Sequence, residues 1–470
     1  LSKVTLSNGL TELSAGAFLG DVMLAEIDIP AGILTINDEA FSGAGLKHVT
    51  FADGAALISI GKQAFYACPL QAVELPALLL QIGGSAFEGT ALTSLTFAPD
   101  STLITIGDAA FQNTWWLTAV SFPSSLQNLG AYAFCNSGLT GEVTLPAALK
   151  SLGAGAFGAC RNLTAIYIED GNAAYFDENG VVYDQAGSVL VAYPAGCTAT
   201  AFTPRAGVLT IGEAAFYGAR NLQNVTLPAG VSEVRGYAFY GCTGMSAYTL
   251  AGSLTTIGEY AFAANTALGS ITLPDSLVQI GRYAFAEDMA LSGITFGEES
   301  RLSRIGFAAF AACGITSFRV PANVTTIAQY AFAGCEKLTS VTFVKNSKLE
   351  AISAYQFRGC NSIRSILFES GSALRMIEAH GLENMAKLTA IDLTNTKLEK
   401  IGNYAFRYNA ALQSITLPDT MTTIGRFAFY KATALGDVSL PAGVERIGAY
   451  AFYGTEKCNL YFAADSLPLY

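Results

Sequence analysis

Short stretches along the chain alternate apolar and polar residues and then stop at a proline or a polar corner. "SITLP" at 270–274 is typical. Period-2 alternation predicts a strand with Ile271 and Leu273 turned inward and Ser270 and Thr272 outward. Pro274 ends the ladder because it has no N–H to donate. A second pattern follows, "IGxxAFxxCxxL". Its apolar residues fall three or four apart, as in one short helical or 3₁₀ turn. The two patterns then begin again.

Aligned on phenylalanine, the unit reads "LxxIxLPxxLxxIGxxAFxxCxx". It recurs at Phe18, Phe41, Phe65, Phe87, Phe111, Phe134 and Phe157, then at Phe216, Phe239, Phe262, Phe285, Phe310, Phe332 and Phe357, and finally at Phe406, Phe429 and Phe452. Leu382 fills the register between Phe357 and Phe406. Spacings are 22 to 25 residues, apart from 59 between Phe157 and Phe216. A fixed period in the twenties marks a solenoid, in which one coil cannot bury its apolar face but stacked coils can. The expected fold is α/β in class and β-rich: about 18–19 coils, a parallel sheet on one face and short helical or 3₁₀ turns on the other. The phenylalanines are its expected spine. Glycine follows the isoleucine in 12 of 18 units, while Arg235, Ala328, Ser353 and Glu378 stand there in others. A strict need for positive φ would exclude those residues, so close approach of an adjacent coil is the better reason for glycine. Five corners, beginning at Phe51, Phe97, Phe296, Phe343 and Phe368, carry two extra residues.

The whole chain is expected to be one array over 1–470. Coils occupy 1–168 and 202–455, an insertion occupies 169–201, and 456–470 reads as a degenerate cap or a truncated end. Within the insertion, "YFDENGVVYD" predicts a hairpin turning at Asn179-Gly180, with "SVLVAYP" as a third strand. It is read as a projecting loop that often carries function. Its five acids, Glu169, Asp170, Asp177, Glu178 and Asp184, invite a comparison with calcium sites. The spacing lacks a closing glutamate, and a solvated acidic hairpin is the favoured reading.

The recurrence "LxxIGxxAFxxCxxLxxIxLP" resembles the BspA-type leucine-rich-repeat surface proteins over essentially the whole chain. The resemblance implies a right-handed curved solenoid in a secreted or surface-anchored bacterial protein that binds host proteins or other cells. No residue-level binding site is shared across that family, so none is carried over. The visible chain shows neither an anchor nor a secretion tail, and its start at Leu1 reads as a mature form or a trimmed fragment.

Composition narrows the chemistry. Half the residues are hydrophobic and 13% are charged, which excludes a disordered chain. No apolar run is long enough to span a membrane. A net charge of −11 argues against nucleic acid as a partner. The charge is uneven: residues 1–210 carry 6 Lys/Arg against 17 Asp/Glu, and residues 298–407 carry 13 against 9. His48 is placed on a solvent-facing strand position and His380 where other units have tyrosine. Two distant histidines do not suit a metal pair or a Ser-His-Asp triad, so no enzyme, metal or cofactor is expected. Six of the nine cysteines (Cys68, Cys160, Cys242, Cys313, Cys335, Cys360) fall three residues after their phenylalanine. That register reads as buried thiols acting as small apolar residues.

Candidate interaction residues lie outside the core. Tyrosine recurs two residues before the phenylalanine, giving a stripe that includes Tyr237, Tyr260 and Tyr283. Trp115 and Trp116 occupy a loop. The expected function is non-enzymatic protein binding by a monomeric extracellular or cell-surface adhesin. A structural stalk that presents another domain and a glycan-binding surface are the alternatives.

Overall fold

The computed structural model describes residues 1–463. It is a parallel β-solenoid of two compact units. One holds Leu1–Gln223 with Ala238–Cys242, and the other holds Asn224–Tyr237 and the chain from Thr243 onward. The last seven residues of the cap expected at 456–470 lie outside the described residues.

Each regular coil contains two strands. The expected strand is present: Ser270–Leu273 alternates exposed and buried residues with Ile271 and Leu273 inside. It pairs in parallel with Gly293–Phe296. In the first unit, Glu26–Ile29, His48–Phe51, Ala72–Leu75 and Ser94–Phe97 form the equivalent sheet, and His48 is exposed as expected. The second strand is only two residues long and precedes the glycine. Seven of these, from Glu12–Leu13 to Ser151–Leu152, make one parallel sheet in the first unit. Their inward residues Ile36, Ile60, Ile82 and Ile106 are fully buried.

The third side differs from the helical or 3₁₀ turn expected of it. Among the described residues there is no helix. Backbone hydrogen bonds alternate instead. In one coil of the second unit, Tyr260, Phe262 and Ala264 donate their N–H groups to the next coil, at Arg282, Ala284 and Ala286. The intervening Ala261 and Ala263 donate three residues back, to Gly258 and Tyr260. The result is a chain of tight turns with left-handed residues two before and two after the phenylalanine, as at Tyr260 (φ 52°) and Ala264 (φ 60°). Type II turns need positive φ at their third residue, which is where Tyr260 stands. Among the described residues, all eighteen coils of the register from Phe18 to Phe452 repeat this pair of left-handed positions. In most coils the amides left free by the coil itself are satisfied by the neighbour, so the strain of about 1–2 kcal/mol per residue is tolerated.

Rings inside this side form the spine. In the first unit, Phe18 through Phe134 stack at 5.0–5.2 Å with nearly parallel planes, and Phe134 to Phe157 is 5.8 Å. In the second, Phe262, Phe285, Phe310, Phe332 and Phe357 stack at 5.2–5.6 Å. The strand spacing of about 4.8 Å sets this pitch. The glycine after isoleucine is explained by close approach: a Cβ on Gly83 would lie 2.6 Å from the backbone of Gly61, and one on Gly281 2.6 Å from Gly258. The in-register cysteines are buried and unpaired. Each donates its thiol to the phenylalanine carbonyl one coil earlier, as Cys313 does to Phe285 at 2.9 Å and Cys335 to Phe310 at 3.0 Å.

The insertion does not project as a free loop. Tyr175–Glu178, Val181–Asp184 and Val189–Ala192 form the three expected strands, and the last continues the two-residue sheet by pairing with Thr210–Ile211. Val181, Val182 and Tyr183 are buried. Tyr193 takes a place in the spine, stacked 4.9 Å from Phe216. Four of the five acids have structural partners: Asp177 accepts from the N–H of Ile168, Asp184 from Ser188 and Val189, and Glu169 from Ala147. Glu178 pairs with Arg205 at 3.3 Å, and that guanidinium also lies over the Phe176 ring. On the turn side both routes meet the next coil: Ala159 donates directly to Tyr217 at 2.8 Å, and Tyr193 of the insertion donates to Ala215 at 2.8 Å.

One ladder position carries a buried acid. Asp288 is fully buried, accepts from the N–H of Asn265 at 2.7 Å, and leaves its second oxygen unpartnered. Burial, with neighbouring Glu287 adding, pushes its carboxyl well above the usual range. Cys313 and Asn265 are the other polar groups at this point in the ladder. A raised folded pKa gives stability that is full below the unfolded value of about 3.9 and is lost as pH rises through the folded value. Urea unfolding across pH should therefore show stability falling from about pH 4 upward, and Asp288→Asn should flatten that slope. A separate series tests the spine. Phe285→Ala should cost about 3–5 kcal/mol in the same assay, several times the effect of the exposed Ser270→Ala.

Candidate functional site

The tyrosine stripe is real and longer than the sequence suggests. In the second unit ten rings stand in one line: Tyr237, Tyr260, Tyr283, Phe307, Tyr330, Tyr355, His380, Tyr404, Phe427 and Tyr450. Most pairs stack face to face, including Tyr237–Tyr260 at 4.9 Å, Tyr260–Tyr283 at 4.6 Å and Tyr330–Tyr355 at 5.3 Å. Phe307 sits one residue early in its coil, and its contacts with Tyr283 and Tyr330 are steeply tilted. His380 completes the line between Tyr355 (4.6 Å) and Tyr404 (4.8 Å).

This packing fixes what the stripe can offer. Every position in it except Phe307 is left-handed, which aims successive side chains in the same direction. The interior rings are half-buried and, except around the tilted Phe307, spend both faces on each other, so edges and hydroxyls meet solvent. Sugar platforms need an open ring face, which the interior of this line does not present. Desolvation, with Tyr283 and Tyr237 adding, raises the Tyr260 phenol above its ordinary value, and it stays neutral at physiological pH.

Trp115 and Trp116 belong to the first unit and are 59% and 63% exposed. They do not join the tyrosine line. They follow Thr114, whose hydroxyl caps the Phe111 carbonyl at 2.7 Å. The next coil has a corner one residue shorter. Its Gly138 passes so near that a Cβ there would lie 2.1 Å from the Trp115 carbonyl oxygen. The exposed Val22 and Met23 precede the same shortening at Gly45, and exposed Met289 precedes it at Gly314.

A second set of residues, one and two places after the phenylalanine register, was not anticipated. Tyr408 is 40% exposed and Tyr453 58%. Tyr430 and Tyr453 stack at 5.4 Å. Basic groups lie over these rings: Arg407 is 4.9 Å from both Tyr404 and Tyr408, and Lys431 is 5.5 Å from Tyr430. Such cation–π contacts are each worth about 0.5–1 kcal/mol at exposed sites. Glu383 ties the two sets together. One of its oxygens meets His380 Nδ1 at 2.7 Å and the other accepts from Arg407 Nε. The only advance signal was the run of aromatic and basic residues in "AFRYN" and "AFYK" at 405–409 and 428–431.

The sheet side is plainer. Outward residues of the long strands are mainly Ser and Thr. Arg319–Glu369 at 3.4 Å is an ion pair there, and Leu367 is exposed. Long corners beside short ones leave depressions. One of about 370 Å³ lies between Phe51–Ala55 and Leu75–Leu78, and another of about 540 Å³ lies around Phe296 and Arg319.

A coil with two parallel strands, a turn ladder and a buried aromatic spine defines a leucine-rich-repeat solenoid. The family model described as "BspA type Leucine rich repeat region (6 copies)" matches residues 1–59, 58–179, 193–313, 303–396 and 343–460, and the chain belongs to that family. A leucine-rich repeat protein from Bacteroides ovatus shares 22% identity and a TM-score of 0.51 over 87% of this chain and 88% of its own. The pneumococcal vaccine antigen PcpA is 20% identical over 96% of this chain and 87% of its own, with a TM-score of 0.46. A leucine rich cell surface protein from Faecalibacterium prausnitzii is 24% identical over 73% and 88%, with a TM-score of 0.45. No curated protein matches the chain. No helix among the described residues is long and apolar enough to cross a membrane.

The left-handed tyrosine gives a sharp test. Tyr260→Ala loses two stacked pairs and keeps the backbone strain, while Tyr260→Gly loses the same pairs and relieves it. The glycine variant should be the more stable of the two by about 1 kcal/mol in urea unfolding. A more stable alanine variant would show that position 260 does not hold positive φ.

Proposed function

We propose that this chain is the protein-binding repeat array of a secreted or cell-surface bacterial protein, acting as an adhesin toward host or neighbouring-cell proteins. The observation that carries the reading is the turn side of the second unit. A continuous aromatic line there is flanked by exposed Tyr408, Tyr453 and Arg358 and half-buried Arg407, on a backbone tied to its neighbours by inter-coil amide bonds in most coils. Tyrosine and arginine are the residues that dominate protein–protein hot spots. Repeat solenoids present extended surfaces of this kind. Membership of the BspA-type family supports the surface location. The stacked interior of the stripe disfavours glycan recognition through Tyr260 and Tyr283.

The measurement is a binding screen of the purified chain against a panel of matrix and cell-surface proteins, with a glycan array in parallel. At least one protein should bind saturably, and Tyr408→Ala with Tyr453→Ala should weaken it by about tenfold or more. Binding to no protein would favour the stalk reading. Saturable glycan binding lost on Tyr260→Ala with Tyr283→Ala would favour the third.

A further inference from the structure

We infer that the small pocket between Arg358 and Tyr408 receives a carboxylate from an acidic segment of the partner protein. The inference rests on the protein-binding reading and names the chemistry of the partner at that surface.

The pocket has a volume of about 230 Å³ and is lined by Tyr355, Arg358, His380, Glu383 and Tyr408, among others. Its floor is small because Gly359 occupies the left-handed slot that Tyr408 fills two coils later. Arg358 is exposed, with its guanidinium 6.0 Å from the Tyr355 ring centre. Among the described residues it pairs with no carboxylate. The nearest candidate, Glu383, is committed on both oxygens, to His380 and to Arg407. Arg358 lines the pocket with Glu383, and Arg407, which pairs with Glu383 from outside the lining, makes two guanidinium groups against one carboxylate at this point. Glu383 and the rings hold Arg407 in place, while Arg358 keeps its donors free. A planar guanidinium with free donors beside an aromatic wall suits a carboxylate, which it binds through two parallel hydrogen bonds.

The chemistry is confined to this part of the unit. One place after the phenylalanine register, the earlier coils carry Ala263, Ala286, Ala311 and Ala333. At the next three coils the same ladder carries Arg358, Glu383 and Arg407. The chain as a whole has a net charge of −11, yet residues 298–407 hold 13 basic against 9 acidic side chains. A negatively charged partner is repelled by most of the chain and attracted here. Tyr408 and Tyr453 then supply apolar area beside the charge, which favours an acidic peptide with apolar residues over a uniformly charged polyanion.

The test titrates the full chain with a short fluorescein-labelled peptide alternating glutamate and leucine. A lysine–leucine peptide and a heparin oligosaccharide are run alongside, with binding read by anisotropy. The acidic peptide should bind and the basic one should not. Arg358→Glu should weaken the acidic peptide by about tenfold or more, whereas Arg358→Lys should retain most of the affinity. Arg358 is exposed, and unchanged urea unfolding of both variants confirms that the fold is intact. Equal binding of the two peptides, an unaltered affinity in Arg358→Glu, or heparin binding with no acidic-peptide binding would each overturn the inference. A protein from the panel that binds Arg358→Glu as well as the parent would overturn this site and leave the adhesin reading standing. Acidic-peptide binding through Arg358, with no protein bound in the panel, would do the reverse.

Discussion

The structure depends on an alternation of backbone amides on its third side. One N–H bonds within its coil and the next bonds to the coil above. Neither half suffices alone. The bonds within a coil make turns too tight for ordinary side chains, and the bonds between coils hold those turns despite their strain. Everything else follows from the resulting pitch. Phenylalanines stack because their backbones repeat at strand spacing. Thiols reach carbonyls one coil back for the same reason, and glycines are needed where backbones pass within contact distance.

The sequence carried most of this core in readable form. Period-2 alternation located Ser270–Leu273 and its counterparts, and the phenylalanine register located the spine. The cysteine register located buried thiols. The glycine after isoleucine, Gly281 among them, was correctly assigned to close approach, because residues other than glycine at the same place exclude a strict conformational reason. The third side was misread as helical because apolar spacing of three and four describes a run of tight turns as well as a helix. Left-handed backbone at Tyr260 was not legible either. Tyrosine disfavours that conformation, and only the neighbouring coil's hydrogen bonds enforce it. The two-residue strands were hidden by their shortness, and the insertion was taken for a projecting loop because its burial depends on the strand at 162–168.

The candidate surface was half visible. The tyrosine stripe stood out because it recurs in many coils. The flanking set at Arg358, Arg407, Tyr408 and Tyr453 occurs in few coils, so no period reveals it, and its cohesion through Glu383 needs three dimensions. Recurrence reports what the scaffold requires. Departures from recurrence report where one molecule differs from its relatives. The tyrosines are largely consumed by packing on each other, and the non-repeating residues beside them remain available to a partner.

The alternating amides also set the grain at which such a chain can change. Every bond between coils joins equivalent positions, so removing one complete coil closes the stack with partners of the same kind, and adding one extends it. A partial deletion has no such remedy. The near-duplicate stretches "LTTIGEYAF" and "LVQIGRYAF", one coil apart, are the kind of sequence on which unequal recombination acts. Length can therefore vary in whole coils while the fold persists, and a binding patch built on two or three coils can be moved, doubled or lost as a block.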